Sequence, residues 1–385
     1  MWLLFVGILC LLLLGIPYSI YLGLSLLFAP STSPAQKGSA VETVSIVLPT
    51  YNEEAIIEQT LSNLVNLSYP NDALEIIVTD SSTDRTPALV EKFAAEHPSV
   101  PIRILHEDER SGVATAVNRA VVAADGEIIF RTDCDSTVGS DAIRHAVANL
   151  QDDRFGAVTG RQAEVLGGSQ VETDYRSLQA RNQALESRLD STFIIHGPCF
   201  AFRREFFRPI AADSLADDTE IAVNIRRQGK RIAFDPEMEF AEVGVSGLRG
   251  RRQRKDRRAM GLLQLLSRHR DMLGRYGLYG RVVLPFNWWF LVVAPWLTVI
   301  AAVCYLTGIG LLVPPLAVVL LGLFGGFMLL GQYDRLGPLQ PLYAVFDSNI
   351  SLVIASMRLF RGAGDGTWEV DAASRDVFKG TSRNE

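Results

Sequence analysis

Two carboxylates one residue apart, Asp133 and Asp135 in "IIFRTDCDST", follow an apolar run that reads as a buried strand. Paired acids at a strand end can share a hard divalent cation. Mg2+ or Mn2+ takes one or two carboxylates, keeps several waters and binds substrate phosphates. Such a cation would neutralise a diphosphate leaving group. The same residues would also serve as a polar turn, and a lone Asp-x-Asp does not choose between the two. Two further polar clusters follow apolar runs of their own: Thr50-Tyr51-Asn52-Glu53 and Thr79-Asp80-Ser81-Ser82-Thr83-Asp84. A carboxylate at Asp80 can accept hydrogen bonds from a base or a ribose, whereas "DSSTD" also makes a self-capping turn. Later, "SLADDTEIAVNIRRQGKRIAF" opens a helix on Asp217-Asp218. Acids at a helix start are ordinary caps, and one of them could equally be a general base for a hydroxyl acceptor. "GPCFAFRRE" at 197–205 sets Gly197 before an apolar strand and two arginines. It reads either as a turn and strand or as the lining of an acceptor site.

The elements that would carry these acids alternate in type. "TVSIVLP", "LEIIVTD", "IRILHE" and "EIIFRTD" read as buried strands. Between them, "NEEAIIEQTLSNLVNL", "PALVEKFAAEH" and "GVATAVNRAVVAA" read as helices. Asn52 is the expected N-cap of the first, with Glu53 and Glu54 suiting its dipole. This rhythm implies a mostly parallel sheet covered by helices. Ligands of open α/β sheets bind at the carboxyl ends of the strands, which is where all three clusters fall.

Flanking regions are apolar. Of 385 residues, 48% are hydrophobic, and Met1 to Ala29 carry no charge. About 20 such residues cross a bilayer, and the basic start and short apolar run of a cleaved leader are missing, so an uncleaved anchor kinked at Pro17 is expected. Residues 284–310 and 311–331 form two further spans. Residues 341–360 are interrupted by Asp347, Ser348 and Asn349. A mid-membrane charge costs about 2.5 to 3.5 kcal/mol on insertion scales, so this stretch reads as a re-entrant or interfacial helix, or a weak span. "RGRRQRKDRR" at 249–258, with Arg268, Arg270, Arg275 and Arg281, precedes the second span. Positive-inside then puts residues 30–283 in the cytoplasm. A net charge of −6 argues against nucleic acid as a partner. The four cysteines lack paired metal spacing, and reduced thiols are expected.

In the order "LPTYNEE", "IIVTDSSTDRT", "AVNRAVVAADGEIIFRTDCD", "GPCFAFRRE", "LADDTEIAVNIRRQGKRIAFDPE" and "QRKDRR", the chain resembles membrane-bound family 2 glycosyltransferases of the GT-A fold, the group of cellulose, chitin and hyaluronan synthases. The resemblance runs from about residue 44 to residue 262. It implies that Tyr51, Glu53 and Asp80 hold the base and ribose of a UDP-sugar. Asp133 would lie near the donor's sugar and ribose, and Asp135 on the metal. Asp218 would be the catalytic base, with Asp217 and Gly197 on the acceptor side. Arg254 and Arg257 would sit near the diphosphate, where the family carries Gln-x-x-Arg-Trp. Two departures stand out. Val113 replaces the lysine of the family's Gly-Lys-Ala motif, and Arg258 stands where the Trp would follow, which leaves processive polymerisation open.

The resemblance thus implies a nucleotide-sugar donor, a lipid or glycan acceptor and membrane lipids as partners. The expected organisation is an anchor (1–29), a linker (30–42), a cytosolic GT-A domain (43–250), a basic interfacial segment (251–283), a membrane region (284–361) and a polar tail (362–385). A polyprenyl-phosphate sugar synthase shares this pattern with a lipid-phosphate acceptor. Nucleotidyl transfer to a sugar phosphate uses a related sheet, but the spans and the acid pair argue against it. A non-enzymatic scaffold or export component would not need Asp133, Asp135 and Asp218 together.

Overall fold

The computed structural model describes residues 1–166, 170–243, 248–361 and 378. They form two compact units. The larger runs from Ala29 to Ser246 and includes Arg268–Leu284. It is built on one mixed sheet of eight strands: β1 (Val44–Thr50), β2 (Leu74–Asp80), β3 (Ile102–His106), β4 (Ile128–Arg131), β5 (Ser136–Val138), β6 (Phe155–Leu166), β7 (Phe200–Arg203) and β8 (Arg231–Val243). Their order is β3-β2-β1-β4-β7-β6-β8-β5. The first four in that order run parallel, β7 runs antiparallel to both its neighbours, and β6 and β8 run parallel.

Side chains alternate across a strand, so each strand feeds two cores. Ile46 and Leu48 of β1 pack with α2 (Ile57–Val65), α3 (Thr86–Glu96) and, further on, helix 142–150; Val47 packs on the opposite face with α4 (Val113–Ala123). Both faces are covered, which explains why these strands read as unbroken apolar runs.

The first helix begins later than expected. Asn52 is not its N-cap; it takes a left-handed conformation (φ 54°), and α2 starts at Ile57. The backbone N–H groups that a helix start would leave open are already taken. Asn52 N donates to Ser82 Oγ (2.7 Å), Glu53 N to Thr86 Oγ1 (2.8 Å) and Glu54 N to Asp84 Oδ2 (3.2 Å). In return, Thr83 N donates to Asn52 Oδ1 at 2.9 Å. The loops after β1 and β2 are thereby laced together, which is the use this fold makes of "DSSTD".

Residues 30–42 are tied down on the same unit. Gln36 N donates to Asp152 (2.8 Å) and Gly38 N to the Ala148 carbonyl (3.0 Å). Lys37 Nζ meets Asp235 at 2.8 Å, His145 Nδ1 at 3.2 Å and also Glu237.

In the smaller unit are the apolar helices and most of α8 (Leu248–Arg268). Four helices among the described residues are long and apolar enough to cross a membrane: Trp2–Phe28, Tyr279–Leu312, Pro314–Gln332 and Gly337–Phe360. The last contains Asp347, nearly buried and met by Arg252 Nη1 at 2.7 Å and Lys255 Nζ at 2.6 Å, both from α8. Pairing removes much of the cost of a charge among apolar helices. A helix that looked interrupted in sequence is therefore continuous from Gln340 to Phe360.

Candidate active site

Register fixes where the acids meet. Thr50 lies opposite Asp80 across β1 and β2, and Val47 lies opposite Arg131 across β1 and β4. The three polar clusters thus leave the carboxyl ends of adjacent parallel strands. Asp80 is buried and held in place, accepting from Thr50 Oγ1 (2.6 Å), Ser82 Oγ (2.6 Å) and Ser82 N (3.1 Å). Glu53 is buried beside the same pair of loops. The Tyr51 ring carries the Arg110 guanidinium 3.8 Å from its centroid, a cation–π stack.

The Asp-Cys-Asp turn is held from α2. Thr60 Oγ1 donates to the Cys134 carbonyl at 2.6 Å, and Asn63 clasps the Val138 backbone through both its N–H (2.9 Å) and its carbonyl (3.0 Å). Cys134 is buried, as are Cys10, Cys199 and Cys304.

Arg131 carries no motif in the sequence, yet it organises this end of the sheet. It closes β4, and its side chain is almost fully buried. Nη2 stands 3.0 Å from Asp133 Oδ1, and Nε stands 3.1 Å from Asp217 Oδ2. The second contact is an ion pair without hydrogen-bond alignment, so Nε and Nη1 have no hydrogen-bond partner among the described residues. A buried cation is tolerated only where charge answers it, and here the charges of Asp133, Asp217 and Asp218 all do. The available signal was a lone arginine ending an otherwise apolar strand.

Gly197 acquires a reason in the same place. β7 pairs antiparallel with β4, Phe200 opposite Arg131, so the turn Gly197–Cys199 passes directly over the guanidinium. A Cβ on Gly197 would overlap the Arg131 guanidinium and come within 3.1 Å of Asp218 Oδ2. The two arginines of "GPCFAFRRE" point to other work. Arg203 pairs with Glu42 at 2.6 Å, and Arg204 donates to the Ala124 carbonyl at 2.8 Å, both beside the other end of β4.

Asp217 and Asp218 begin α7 (Asp217–Arg227), as the sequence suggested, but neither acts as its cap: Ala216 holds that position without a side-chain bond. Asn118 of α4 anchors the approach, donating to the Ile210 carbonyl (2.8 Å) and accepting from Ile210 N (3.0 Å). At the far end of α7, Arg226 makes two 3.0 Å contacts to the buried Asp190. Burial, with the neighbouring charge of Asp217, pushes the Asp218 carboxyl up to about 6, against the opposing pull of Arg131 and the Thr219 N–H at 2.6 Å. Burial also raises Asp133, although a third of its side-chain surface still meets solvent. Arg131 opposes the shift, and Asp135, Asp217 and Glu242 reinforce it.

Glu242 is the second residue that sequence missed. It is buried on β8, opposite Ser136, the residue after Asp135, and "AEVGV" carries no motif that would mark it. Oxygen donors and surplus negative charge are what a hard divalent cation needs. Asp133 and Asp135 are such donors, the charge of Glu242 reaches Asp133, and the Ser136 hydroxyl, on the residue opposite Glu242 in the sheet, is buried without a hydrogen-bond partner among the described residues. The residues present fit Mg2+ or Mn2+. A second acid–histidine group, His145 with Asp235 and Glu237, encloses the Lys37 ammonium and has its cation already. Arg254 and Arg257 stand on α8, which lies in the helical unit.

Comparison with known proteins gives this geometry a family. The profile of glycosyl transferase family group 2 matches residues 128–330, and that of glycosyl transferase family 2 matches residues 45–210. The chain belongs to the family 2 glycosyltransferases. Among solved structures, this glycosyltransferase resembles the mannosyltransferase PcManGT from Pyrobaculum calidifontis in complex with GDP-Man and Mn2+. The likeness has a TM-score of 0.77 at 27% identity and covers 92% of this chain and 99% of that one. Curated relatives include the probable glycosyltransferase YdaM of Bacillus subtilis, 30% identical over 50% of this chain and 49% of its own. A beta-monoglucosyldiacylglycerol synthase of Nostoc is 37% identical over 31% of this chain and 26% of its own. The poly-beta-1,6-N-acetyl-D-glucosamine synthase of Staphylococcus aureus is 27% identical over 51% and 48%. The chain spans about half the length, or less, of these curated relatives.

Proposed function

We propose that this glycosyltransferase moves a sugar, with inversion, from a nucleoside-diphosphate sugar to a hydroxyl of a glycolipid or polysaccharide at a membrane. The observation that carries this is the acid pair on α7. Asp217 is charge-paired to Arg131, while Asp218 lies beside Gly197 with a carboxyl raised towards neutrality. Two adjacent acids in such different surroundings have distinct roles.

In this reading Asp218 takes the proton of the acceptor hydroxyl. The hydroxyl oxygen bonds to the anomeric carbon from one face while the bond to the diphosphate oxygen breaks on the other. The proton stays on Asp218, and the nucleoside diphosphate leaves. Asp80, Glu53 and the Tyr51 ring hold the base and ribose, and Asp133 orients the transferred sugar. Asp135 would hold Mg2+ or Mn2+, which supplies charge neutralisation at the diphosphate. The resemblance favours uridine as the base. The full-length likeness to a GDP-Man complex favours guanosine.

Membranes containing the protein, given a panel of labelled UDP- and GDP-sugars, are expected to transfer label from one donor into lipid or polymer. Release of free nucleotide with label on a lipid phosphate would instead indicate a polyprenyl-phosphate sugar synthase. No turnover of any donor would sink the reading.

The basic stretch 249–281 and the uncharged turn near Gly308 support a cytoplasmic catalytic unit by the positive-inside rule. A cysteine introduced near Gly38, at the exposed Ser39, should resist an impermeant thiol reagent in intact cells, and one at Gly310 should react. The reverse pattern would put the catalytic unit outside.

A further inference from the structure

Two adjacent carboxylates open α7, and something must decide which of them receives the acceptor's proton. Sequence position does not: both lie in the first helical turn, and both are partly buried. The difference between them is one contact. Arg131 Nε lies 3.1 Å from Asp217 Oδ2, and the same guanidinium reaches Asp133 through Nη2 at 3.0 Å. Asp218 instead bonds its own neighbour, Thr219, through the backbone N–H (2.6 Å) and the hydroxyl (3.1 Å). Its other oxygen, Oδ2, lies on the Gly197 side, where the missing Cβ leaves room.

We propose that Arg131 is the positioning residue that divides the labour of this pair, holding Asp217 as a fixed carboxylate and leaving Asp218 as the oxygen that accepts the proton. This rests on the assignment of Asp218 as the base.

Charge count separates the two acids. Asp133, Asp217 and Asp218 stand around a guanidinium that is removed from water. With Arg131 present, two of the three acids have a cation in contact, and the third can cycle its proton. Without it, Asp217 and Asp218 are adjacent carboxylates and neither has a cation in contact. Like charges so close oppose each other's ionised form, so Asp217 would compete with Asp218 for the proton. The proton would then no longer sit on a single, correctly aimed oxygen. Arginine suits the task because its planar fork can meet two carboxylates at once and it does not lose its own proton. Gly197 belongs to the same device, since any side chain there would displace the guanidinium.

The test is a charge-balancing pair of variants in the full chain. Arg131→Met keeps bulk and removes the cation, and the transfer rate should fall by roughly a hundredfold. Adding Asp217→Asn removes the anion that Arg131 answered and should restore about tenfold, the scale of coupling expected between touching charges. A side chain that merely fills space predicts no restoration, so a double variant no faster than Arg131→Met alone would overturn the proposal. Arg131→Lys, read beside a melting curve, covers the case in which the Met variant fails to fold. It keeps a buried cation but loses the fork that meets two carboxylates, so its rate should fall between those of the parent and Arg131→Met. A loss as deep as that of Asp218→Asn, with unchanged melting, would also overturn it. The two assignments fail separately. Normal turnover by Asp218→Asn removes the base itself. A dead Asp218→Asn beside Arg131 variants of parental rate removes only the role of Arg131.

Discussion

Asp218→Asn is expected to lower the transfer rate by roughly 10²- to 10⁴-fold, with donor affinity and melting midpoint nearly unchanged. Asn keeps the shape of Asp and can still accept the Thr219 N–H bond at the start of α7. It cannot take a proton. Were the residue only a helix-start acid, the same change would cost little, because Asn serves that position about as well. The pH dependence supplies a second reading of the same group. A base works in its ionised form, and the Asp218 carboxyl is pushed up to about 6 by burial and by Asp217. Activity should therefore rise as pH climbs through about 6 and be lost below it, the direction set by a raised carboxyl. Single-turnover rates between pH 5 and 8 measure this. A flat profile, or an Asn variant that turns over normally, would move catalysis to another group.

Asp135→Asn should be nearly as severe. A divalent cation at a diphosphate leaving group is worth several kcal/mol. Losing about 4 kcal/mol of that slows transfer about a thousandfold. The substitution leaves the backbone framework intact: the Thr60 bond to the Cys134 carbonyl and the Val243 N–H to the Asp135 carbonyl do not involve the changed side chain. Inserted, folded protein with very low activity is thus the expected outcome. Chelation with EDTA should reproduce it, and added Mn2+ or Mg2+ should reverse the chelation. Undiminished transfer in chelator would exclude the cation.

Sequence alone determined the parts of this protein that are local. Strands β1 to β4 and the helices between them follow from short apolar runs and from periodicity, both properties of neighbouring residues. That Asp133 and Asp135 follow a strand and Asp217 and Asp218 open a helix was equally legible, because an apolar run stops at the first pair and a helical segment starts at the second. The uncharged helices were visible for the same reason.

Tertiary structure decided what depends on residues far apart in the chain. The order of the sheet puts β7 beside β4, and only that pairing brings Gly197 over Arg131. Asn52 looked like a cap until the loop after β2 took the N–H groups around it. Asp347 looked like an interruption until two cations from a helix some ninety residues earlier answered it. Arg131 itself is an ordinary polar residue by any local rule. Its burial is imposed by the strands on either side, and a buried charge must be answered by whatever carboxylates the fold delivers. Composition and spacing named the acids. The sheet topology chose which of them are paired and which is left to react, because electrostatic contacts in a dry interior depend on ångströms across the fold and not on distance along the chain.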